Sequence, residues 1–277
     1  HLVASVGRSR MGSGNVKFDD SYLLLGPSRA STFADSLDEA AGRWSHTALA
    51  FPEERATYPE LASRANDLAC GLIALGVEAG EKVGVLISQG VDYFALIFAI
   101  AKIGAISVPL NPRFKAKELR HVISNSDMTA LVASDSLLEM PDVVSMLEET
   151  LPSLASAGGI ELHLAEAPLL RRIVLSGETS RDWVFNFAAL VDLAESVSDE
   201  LVLYRRASVA IRDTAIIMYT SGTTANPKGV MLPHEALVRH GLTIAQTRFD
   251  LTKADRVWSA LPLHHIGGMA FFFTCLA

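Results

Sequence analysis

The chain has 277 residues, 49% of them apolar, with 24 basic and 31 acidic side chains for a formal net charge of −7. This length and apolar content predict a globular chain with a large core, and the scattered acidic residues argue against binding of nucleic acid through overall charge. The two cysteines, Cys70 and Cys275, lie far apart in the sequence. They indicate free, buried thiols in a reducing cytoplasm rather than a disulfide framework or a zinc site.

The ends of the chain and its longest apolar runs bear on membranes and targeting. The runs at 93–101 and 266–277 are shorter than the roughly 20 residues that span a bilayer, so we expect both in the core. Peripheral contact with a membrane stays open. Residues 1–16 include a stretch before Met11 without a sustained apolar segment, which indicates a tag remnant or flexible leader rather than a secretory signal. The apolar C-terminus predicts that 17–277 form a truncated N-terminal part of a larger domain.

Helical and strand-like patterns alternate along the middle of the chain. In chain order, the sequence predicts a helix at 58–76, a strand at 83–88, a helix at 91–103, a strand at 105–110, a helix at 115–126, and strands at 130–134, 171–176 and 214–221. Gly76 is expected to end the first helix. Residues 135–170 read as helix with loops, whereas 177–213 show no dominant period. The alternation predicts an α/β fold with a mostly parallel sheet flanked by helices.

The last predicted strand leads into a segment rich in hydroxyl groups, which we call the Ser/Thr loop (residues 220–228). Backbone N–H groups and hydroxyl donors presented together suit the oxygens of a phosphate chain, and Lys228 adds a positive charge. Gly222 and Gly229 would permit positive φ angles and close backbone approach, while Pro227 would restrict the direction of the lysine. The pattern is typical of an anion-binding loop.

Two other interpretations of the Ser/Thr loop fit the residues less well. A Walker A loop has glycine before its lysine and Ser or Thr after it, but this chain has Pro227 and Gly229 at those positions. The sequence after the lysine, GVML, also predicts a strand, whereas a Walker loop opens into a helix. The remaining interpretation is a Ser/Thr-rich surface turn without function, although glycine, proline and lysine seldom punctuate such a turn after a buried strand.

The sequence YTSGTTANPKG, residues 219–229, resembles the phosphate-binding signature of the adenylate-forming enzymes, which include acyl-CoA synthetases, luciferases and peptide-synthetase adenylation domains. Residues 57–88 and 99–127 resemble the N-terminal blocks of that family, in the required order. The resemblance covers about residues 31–134 and 213–277. It implies an incomplete large N-terminal domain of the luciferase-like fold.

A second block, LPLHHIGG at 261–268, is similar to the family pattern Leu-Pro-x-x-His-x-x-Gly. It sets the family histidine on His265 and the glycine on Gly268, while His264 stands where an aromatic residue is usual. The resemblance implies that His265 lies near the carboxylate and the α-phosphate as a hydrogen-bond donor and gate, rather than as a general base. No H-x-x-x-H spacing joins the histidines at 264 and 265, so no metal site is predicted.

The resemblance implies an ATP-dependent reaction in which a carboxylic acid, most simply a fatty acid, becomes an acyl-adenylate and then an acyl thioester. The implied cofactors are ATP, Mg²⁺ and coenzyme A, and the implied location is the cytoplasm. The residues that would hold the β- and γ-phosphates are Thr220, Ser221, Gly222, Thr223, Thr224 and Lys228. Positioning and electrostatic stabilisation suffice for such chemistry.

Three further residues leave alternatives open. Ala225 stands where the family usually has glycine, so either Asn226 takes the strained conformation or the loop is stiffer. His234 is interpreted as a structural residue at a helix start whose ring supports the Ser/Thr loop. Tyr219 suits strand packing and ligand contact equally.

Several parts of the family pattern are not found in this sequence. They are the acidic block for adenine and magnesium, the ribose-binding aspartate, the hinge, and the C-terminal domain with its catalytic lysine. The resemblance therefore implies a fragment that is inactive alone, and LNPR at 110–113 favours the acyl-CoA synthetase branch. The alternatives are an acyl-AMP ligase, an adenylation domain that loads a carrier-protein thiol, or a short non-catalytic α/β binding protein.

Overall fold

A mostly parallel β-sheet is the centre of the fold. The computed structural model describes residues 32–220, 226–249, 251–252 and 254–276. The helices in these ranges are α1 (Phe33–Arg43), α2 (Tyr58–Ala74), α3 (Val91–Lys102), α4 (Ala116–Asn125), α5 (Val143–Thr150), α6 (Phe187–Asp192), α7 (Asp199–Ala207), α8 (His234–Ile244) and α9 (Ile266–Leu276). The strands are β1 (Thr47–Ala50), β2 (Arg55–Thr57), β3 (Lys82–Leu86), β4 (Ile106–Pro109), β5 (Met128–Ser134), β6 (Arg172–Ser176), β7 (Val184–Asn186), β8 (Thr214–Thr220) and β9 (Lys228–Pro233).

The strand order explains where a site can form. Within the described residues, the main sheet has seven strands in the order β7-β6-β5-β3-β4-β8-β9, and β1 pairs with β2 in a separate antiparallel sheet. Every neighbouring pair in the main sheet is parallel except β8 and β9, which are antiparallel. The predicted α/β class and mostly parallel sheet are confirmed. The carboxyl ends of β3, β4, β5, β6 and β8 therefore meet at one edge, where ligands of such sheets usually bind.

Alternating side chains build a core on each face of the sheet. On β5, Val132 packs in a cluster with residues of α1, α2, α3, α8 and α9, whereas its neighbour Leu131 packs in a cluster with residues of α4 and α5. Successive residues of a strand point to opposite faces, so one apolar strand can serve both clusters. The result is a three-layer arrangement of helices, sheet and helices.

The ends of α2 follow from its sequence. At its start, Thr57 Oγ1 accepts a hydrogen bond from the Glu60 N–H at 3.3 Å, and the Glu60 carboxylate accepts one from the Thr57 N–H at 2.8 Å, which is a capping box. At its end, Gly76 has a φ of +87°, and the Val77 N–H donates to the Leu72 carbonyl at 3.0 Å. Glycine adopts this left-handed conformation without the steric cost that other residues pay. The predicted stop at Gly76 is confirmed.

The region without a dominant period contains short elements that the sequence did not predict. β7 has three residues and α6 has six, so neither is long enough to show a period clearly. Asn186 starts α6, because its Oδ1 accepts a hydrogen bond from the Ala188 N–H at 2.7 Å. Local capping, rather than hydrophobic periodicity, defines this part of the chain.

Helix α9 packs on α3 and α1 through aromatic rings and lies close to α8. The ring centroids of Phe94 and Phe272 are 4.1 Å apart, and those of Phe33 and Phe273 are 5.4 Å apart. A Cβ atom at Gly241 of α8 would lie 2.6 Å from the Phe273 carbonyl oxygen, so only glycine allows this approach. The expectation that the last apolar run belongs to the core is confirmed for Met269, Phe273 and Leu276, whereas Ile266 and Cys275 are exposed. No helix in the described part of the chain is long and apolar enough to cross a membrane.

The two cysteines differ in exposure. Both are free thiols, as expected, and Cys70 is buried in the core. Cys275 is exposed, so the expectation that both thiols are buried is wrong for this residue. It lies near the end of α9, where the buried positions are taken by neighbours such as Thr274 and Leu276.

An ion-pair network joins α1, α3 and α7. The Lys102 ammonium, whose side chain is 6% exposed, lies 2.8 Å from the Asp38 carboxylate. The Arg206 guanidinium of α7 contacts both Asp35 and Asp38. A buried ammonium needs such partners because an unpaired charge in the core is costly. The network fixes α1 against the two other helices.

His234 begins α8 and lies in the core. Its side chain is 1% exposed, and its ring centroid is 5.3 Å from that of Phe33. It follows the last residue of β9, whereas the Ser/Thr loop joins the first residue of that strand. The structural interpretation of this histidine therefore holds, but the idea that its ring supports the Ser/Thr loop is wrong.

The burial of His234 predicts a dependence of stability on pH. Burial lowers its pKa from 6.5 to about 4, so the ring is neutral in the folded chain but protonated in the unfolded chain between those values. The free energy of unfolding should therefore fall as the pH decreases from about 6.5 to about 4. In His234→Phe, the loss between pH 7 and pH 4.5, measured by urea unfolding, should be smaller by about 2 kcal/mol.

His240→Gln is the matched control, because His240 is exposed on the same helix. This variant should keep the acid sensitivity of the parent. An equal acid sensitivity in His234→Phe and in the parent would contradict the assignment of a buried, neutral ring.

Candidate functional site

The Ser/Thr loop connects two antiparallel strands at the edge of the sheet. Thr220 at the end of β8 and Lys228 at the start of β9 are directly paired, and both are exposed. Thr220 Oγ1 lies 3.5 Å from the Lys228 carbonyl oxygen. The strand after the lysine agrees with the sequence prediction and differs from the helix of a Walker loop. Ser221, Gly222, Thr223, Thr224 and Ala225 lie outside the described residues.

Gly229 is needed for close packing rather than for a special backbone conformation. It lies inside β9, and its φ is not positive, so that part of the expectation is wrong. A Cβ atom there would lie 2.9 Å from Ile217 Cγ2 and 3.1 Å from Tyr219 Cζ. The glycine thus leaves room for the tyrosine ring to cross the hairpin. The expectation of a close approach is confirmed.

Tyr219 serves strand packing. Its side chain is buried, and its hydroxyl donates a hydrogen bond to Asn125 Oδ1 at 2.8 Å. Burial raises the pKa of Tyr219 to about 12, so the hydroxyl keeps its proton at neutral pH. The contact joins β8 to α4 directly before the Ser/Thr loop. Of the two interpretations left open by the sequence, the structure supports packing.

The two adjacent histidines directly precede α9. The His265 carbonyl accepts a hydrogen bond from the Met269 N–H at 3.2 Å, so this residue starts the helix, and its side chain is exposed. The ring of His264 is 4.6 Å from that of His265 and is 9% exposed. Burial, together with the neighbouring His265, lowers the pKa of His264 to about 4. At neutral pH the buried ring is therefore uncharged and can donate at one nitrogen and accept at the other.

Gly268 allows the segment just before these histidines to lie close against α9. A Cβ atom at this position would lie 2.4 Å from the Pro262 carbonyl oxygen and 2.8 Å from that of Leu261. Only a glycine in the first turn of α9 lets the segment that precedes the histidines fold back against the helix. The spacing of the block LPLHHIGG thus has a steric reason.

A cavity of about 210 Å³ lies beside His264 at the carboxyl edge of the sheet. Its lining comes from the last residue of β3 and from the segments that follow β3, β4 and β5, and it includes Ser88, Gln89 and Tyr93. The Tyr93 hydroxyl is buried and has no hydrogen-bond partner among the residues that the structure describes. Sequence reasoning missed these three residues. The signal was present, because Ser88 ends a predicted parallel strand and Gln89 follows it, where ligands of such folds bind.

The predicted site residues fall into two groups. Thr220 and Lys228 lie at the open end of the β8–β9 hairpin, whereas His265 lies at the start of α9, next to His264, which lines the cavity but was not predicted as a site residue. Because β8 is parallel to its neighbour β4, both groups belong to the same edge of the sheet. No hydrogen bond between described atoms joins the two groups directly. They can act on one substrate only if that substrate spans them.

The charges around the site suit an anion. Lys228 is exposed and forms no ion pair within the ranges that the structure describes, so its charge is available to a ligand. The same ranges contain no group of three His, Cys, Asp or Glu side chains that could hold a metal ion. An exposed hydroxyl opposite an available ammonium group provides both a donor and a positive charge for phosphate oxygens.

Comparison with protein families decides which proteins the chain is related to. The model of the AMP-binding enzyme family matches residues 37–277. The chain belongs to this family. Among curated AMP-binding relatives, it is 31% identical over 243 residues to the putative acyl-CoA synthetase YngI of Bacillus subtilis, covering 86% of this chain and 44% of that protein. It is 30% identical over 233 residues to the long-chain-fatty-acid–[acyl-carrier-protein] ligase AEE15 of Arabidopsis thaliana, covering 81% of this chain and 30% of that protein.

Solved structures of AMP-binding enzymes agree on the fold. The anthranilate CoA ligase AuaEII in complex with anthranoyl-AMP superposes with a TM-score of 0.74 at 22% identity, covering 88% of this chain and 43% of that one. At this identity the likeness establishes the fold alone. The chain spans less than half the length of these relatives. The predicted resemblance to the N-terminal part of the adenylate-forming enzymes is confirmed.

Proposed function

We propose that residues 17–277 are the N-terminal part of the adenylation domain of an ATP-dependent ligase, which converts a carboxylic acid into an acyl-adenylate and then into an acyl thioester. The observation that carries this proposal is the pairing of exposed Thr220 with exposed Lys228 at the open end of the hairpin. Membership of the AMP-binding enzyme family supports it. The location we propose is the cytoplasm, and the substrate class is fatty acids.

In the first half-reaction, a carboxylate oxygen attacks the α-phosphorus of ATP, a new phosphorus–oxygen bond forms, and the bond to the leaving pyrophosphate breaks. Negative charge builds on the β- and γ-phosphates as that bond breaks. The Lys228 ammonium and the hydroxyls of Thr220, Ser221, Thr223 and Thr224, together with Gly222, would stabilise this charge. Preorganised donors of this kind typically contribute several kcal/mol to a barrier.

His265 would act on the other side of the reacting centre. Its exposed ring at the start of α9 can donate a hydrogen bond to the carboxylate or to the α-phosphate. His264 is neutral at pH 7 and would line the recess behind it. Neither role needs a proton to be removed from the substrate, because a carboxylate is already the nucleophile.

Mg²⁺ is implied by the family but has no ligand set in the described ranges. Those ranges hold no cluster of three side chains suited to a metal ion. Mg²⁺ usually binds through one or two carboxylates together with substrate phosphates, so we propose that it enters with ATP, and no step of the proposed reaction is assigned to it. Coenzyme A is the thiol acceptor we propose, because YngI is named as an acyl-CoA synthetase. A carrier-protein thiol is the second candidate, because AEE15 is named as an acyl-carrier-protein ligase.

Exchange of labelled pyrophosphate into ATP tests the proposal. The full-length protein that contains this chain should catalyse exchange only when a suitable acid is added, and a panel of carboxylic acids of increasing chain length would identify the acid. Product analysis with coenzyme A and with a carrier protein would then distinguish the two acceptors. The 277-residue chain alone should give no exchange.

Two results would contradict this assignment. One is the absence of exchange with every acid of the panel, which would favour a non-catalytic α/β binding protein. The other is turnover by the 277-residue chain alone, which would show that the missing blocks are dispensable.

A further inference from the structure

Helix α4 contacts the chain at both ends of the Ser/Thr loop. Asn125, its last residue, accepts the hydrogen bond from the Tyr219 hydroxyl at 2.8 Å. One turn earlier, His121 Nε2 lies 3.0 Å from the Pro227 carbonyl oxygen. The first contact joins two residues that are 94 positions apart in the sequence, and the second joins two that are 106 positions apart. The last residue before the loop and the residue that precedes Lys228 are thus held by the same helix.

The direction of the hydrogen bond between His121 and Pro227 is fixed by its acceptor, a carbonyl oxygen. A carbonyl oxygen can only accept a hydrogen bond, so His121 Nε2 must carry the proton and donate it. Pro227 has no N–H of its own, and it lies one residue before β9, outside the ladder with β8. The carbonyl is therefore available to a side-chain donor at the point where the chain enters the strand.

The contact bears directly on the direction of Lys228. The Pro227 carbonyl and the Lys228 nitrogen belong to one planar peptide unit, so a donor that holds this oxygen also orients the peptide that begins the lysine. Lys228 itself is exposed, and its side chain forms no ion pair within the described ranges. The pairing of Lys228 with Thr220 holds the strand on the side of β8, and the contact from His121 adds a hold on the peptide that precedes the lysine. A displacement of about 1 Å at a reacting group can cost roughly a hundredfold in rate.

The contact from Asn125 acts on the opposite strand. The Tyr219 ring is buried against Gly229, which lies across the hairpin, and its hydroxyl is held by the amide oxygen of Asn125. Thr220 follows Tyr219 directly. The backbone from which the Thr220 hydroxyl projects is therefore fixed by α4 as well.

We propose that His121 and Asn125 are positioning residues for the phosphate contacts of the Ser/Thr loop: His121 orients Lys228 through the Pro227 carbonyl, and Asn125 holds the strand that carries Thr220. The inference rests on the proposed function of the loop in binding the β- and γ-phosphates. It adds two residues that bind no substrate themselves. Their effect should appear in the kinetics of ATP and pyrophosphate rather than in those of the carboxylic acid.

The test compares His121→Ala, His121→Gln and Lys117→Ala in the full-length protein. Pyrophosphate exchange is measured with ATP and the acid titrated separately. His121→Ala should lower kcat/KM for ATP about tenfold, with KM for the acid within about twofold of the parent. Gln places an N–H donor near the position of Nε2 and should restore most of the loss. Lys117 is exposed one turn earlier on the same helix, and its replacement should leave both parameters unchanged.

A second variant keeps the test informative if His121→Ala folds poorly. Tyr219→Phe removes only the hydroxyl that Asn125 holds, and it should also lower kcat/KM for ATP with little change in KM for the acid. Thermal unfolding of each variant separates loss of fold from loss of position. A tenfold kinetic loss in a protein with an unchanged Tm supports positioning.

The outcomes separate this inference from the proposed function. Normal ATP kinetics in His121→Ala and Tyr219→Phe, with impaired exchange in Lys228→Ala, would overturn the inference and leave the function standing. Normal exchange in all three would overturn the assignment of the loop itself. Failure of His121→Gln to recover, or an equal rise in KM for ATP and for the acid, would also overturn the proposed role of the hydrogen bond.

Discussion

Replacement of Lys228 by alanine is expected to slow pyrophosphate exchange in the full-length protein at least tenfold, which corresponds to about 1.4 kcal/mol of transition-state stabilisation. The physical reason is the loss of a positive charge where negative charge builds on the leaving pyrophosphate. The fold should be unaffected, because the side chain is exposed and makes no ion pair in the described ranges. The rate loss should therefore occur without a change in Tm.

Lys117→Ala is the control for net charge, because it also removes one exposed ammonium group but lies on α4 and not in the Ser/Thr loop. If both variants slow exchange equally, the effect comes from the overall field of the protein and not from the loop. An unchanged rate in Lys228→Ala would remove the central support for the phosphate assignment. Raising the salt concentration should lower the rate of pyrophosphate exchange less in Lys228→Ala than in the parent, because the variant lacks the ammonium charge that salt would screen.

The second large effect is expected from Gly268→Ala. The new Cβ atom would lie 2.4 Å from the Pro262 carbonyl oxygen, and a backbone atom cannot move aside cheaply. Forcing an extra carbon into a packed site typically costs 1–3 kcal/mol, so we expect a loss of about 2 kcal/mol in stability. The displaced turn carries His264 and His265, so exchange should fall by one to two orders of magnitude as well.

Gly267→Ala provides a matched control at the next residue. Its Cβ atom would meet only Leu261 Cδ1, at 3.7 Å, which is an ordinary contact. Because alanine favours a helix over glycine, this variant should be as stable as the parent or slightly more stable. Urea unfolding and pyrophosphate exchange on both variants check the prediction. Equal behaviour of the two variants would show that the turn at Leu261 and Pro262 tolerates a side chain at 268.

Much of the fold could be predicted because its central elements are long and strongly patterned. The predicted strands at 130–134, 171–176 and 214–221 correspond to β5, β6 and β8, with ends that differ by a few residues. Their continuous apolar runs arise because each strand is covered by helices on both faces. The Ser/Thr loop was located for the same reason, since its polar residues follow directly on such a run.

Other features could not be predicted because they depend on contacts between distant residues. The partners of Tyr219 and Pro227 lie on α4, about a hundred residues earlier, and no local pattern connects them. The role of Gly229 depends on the Tyr219 ring, which crosses the hairpin. The sequence does not reveal this role, because a single glycine after a lysine is equally typical of a turn. The cavity beside His264 combines the segments that follow three different strands. Topology, rather than local sequence, brings these groups together.

The ion-pair network of Asp35, Asp38, Lys102 and Arg206 has a consequence for behaviour on heating. The cost of removing charged groups from water decreases as the temperature rises, whereas the hydrophobic contribution per unit area levels off. The share of stability that comes from the network should therefore grow towards the melting temperature. Since α1 also packs on α9 through Phe33 and Phe273, this gain supports the helix that follows the two histidines. The geometry around His264 and His265 should then persist until the chain unfolds as a whole.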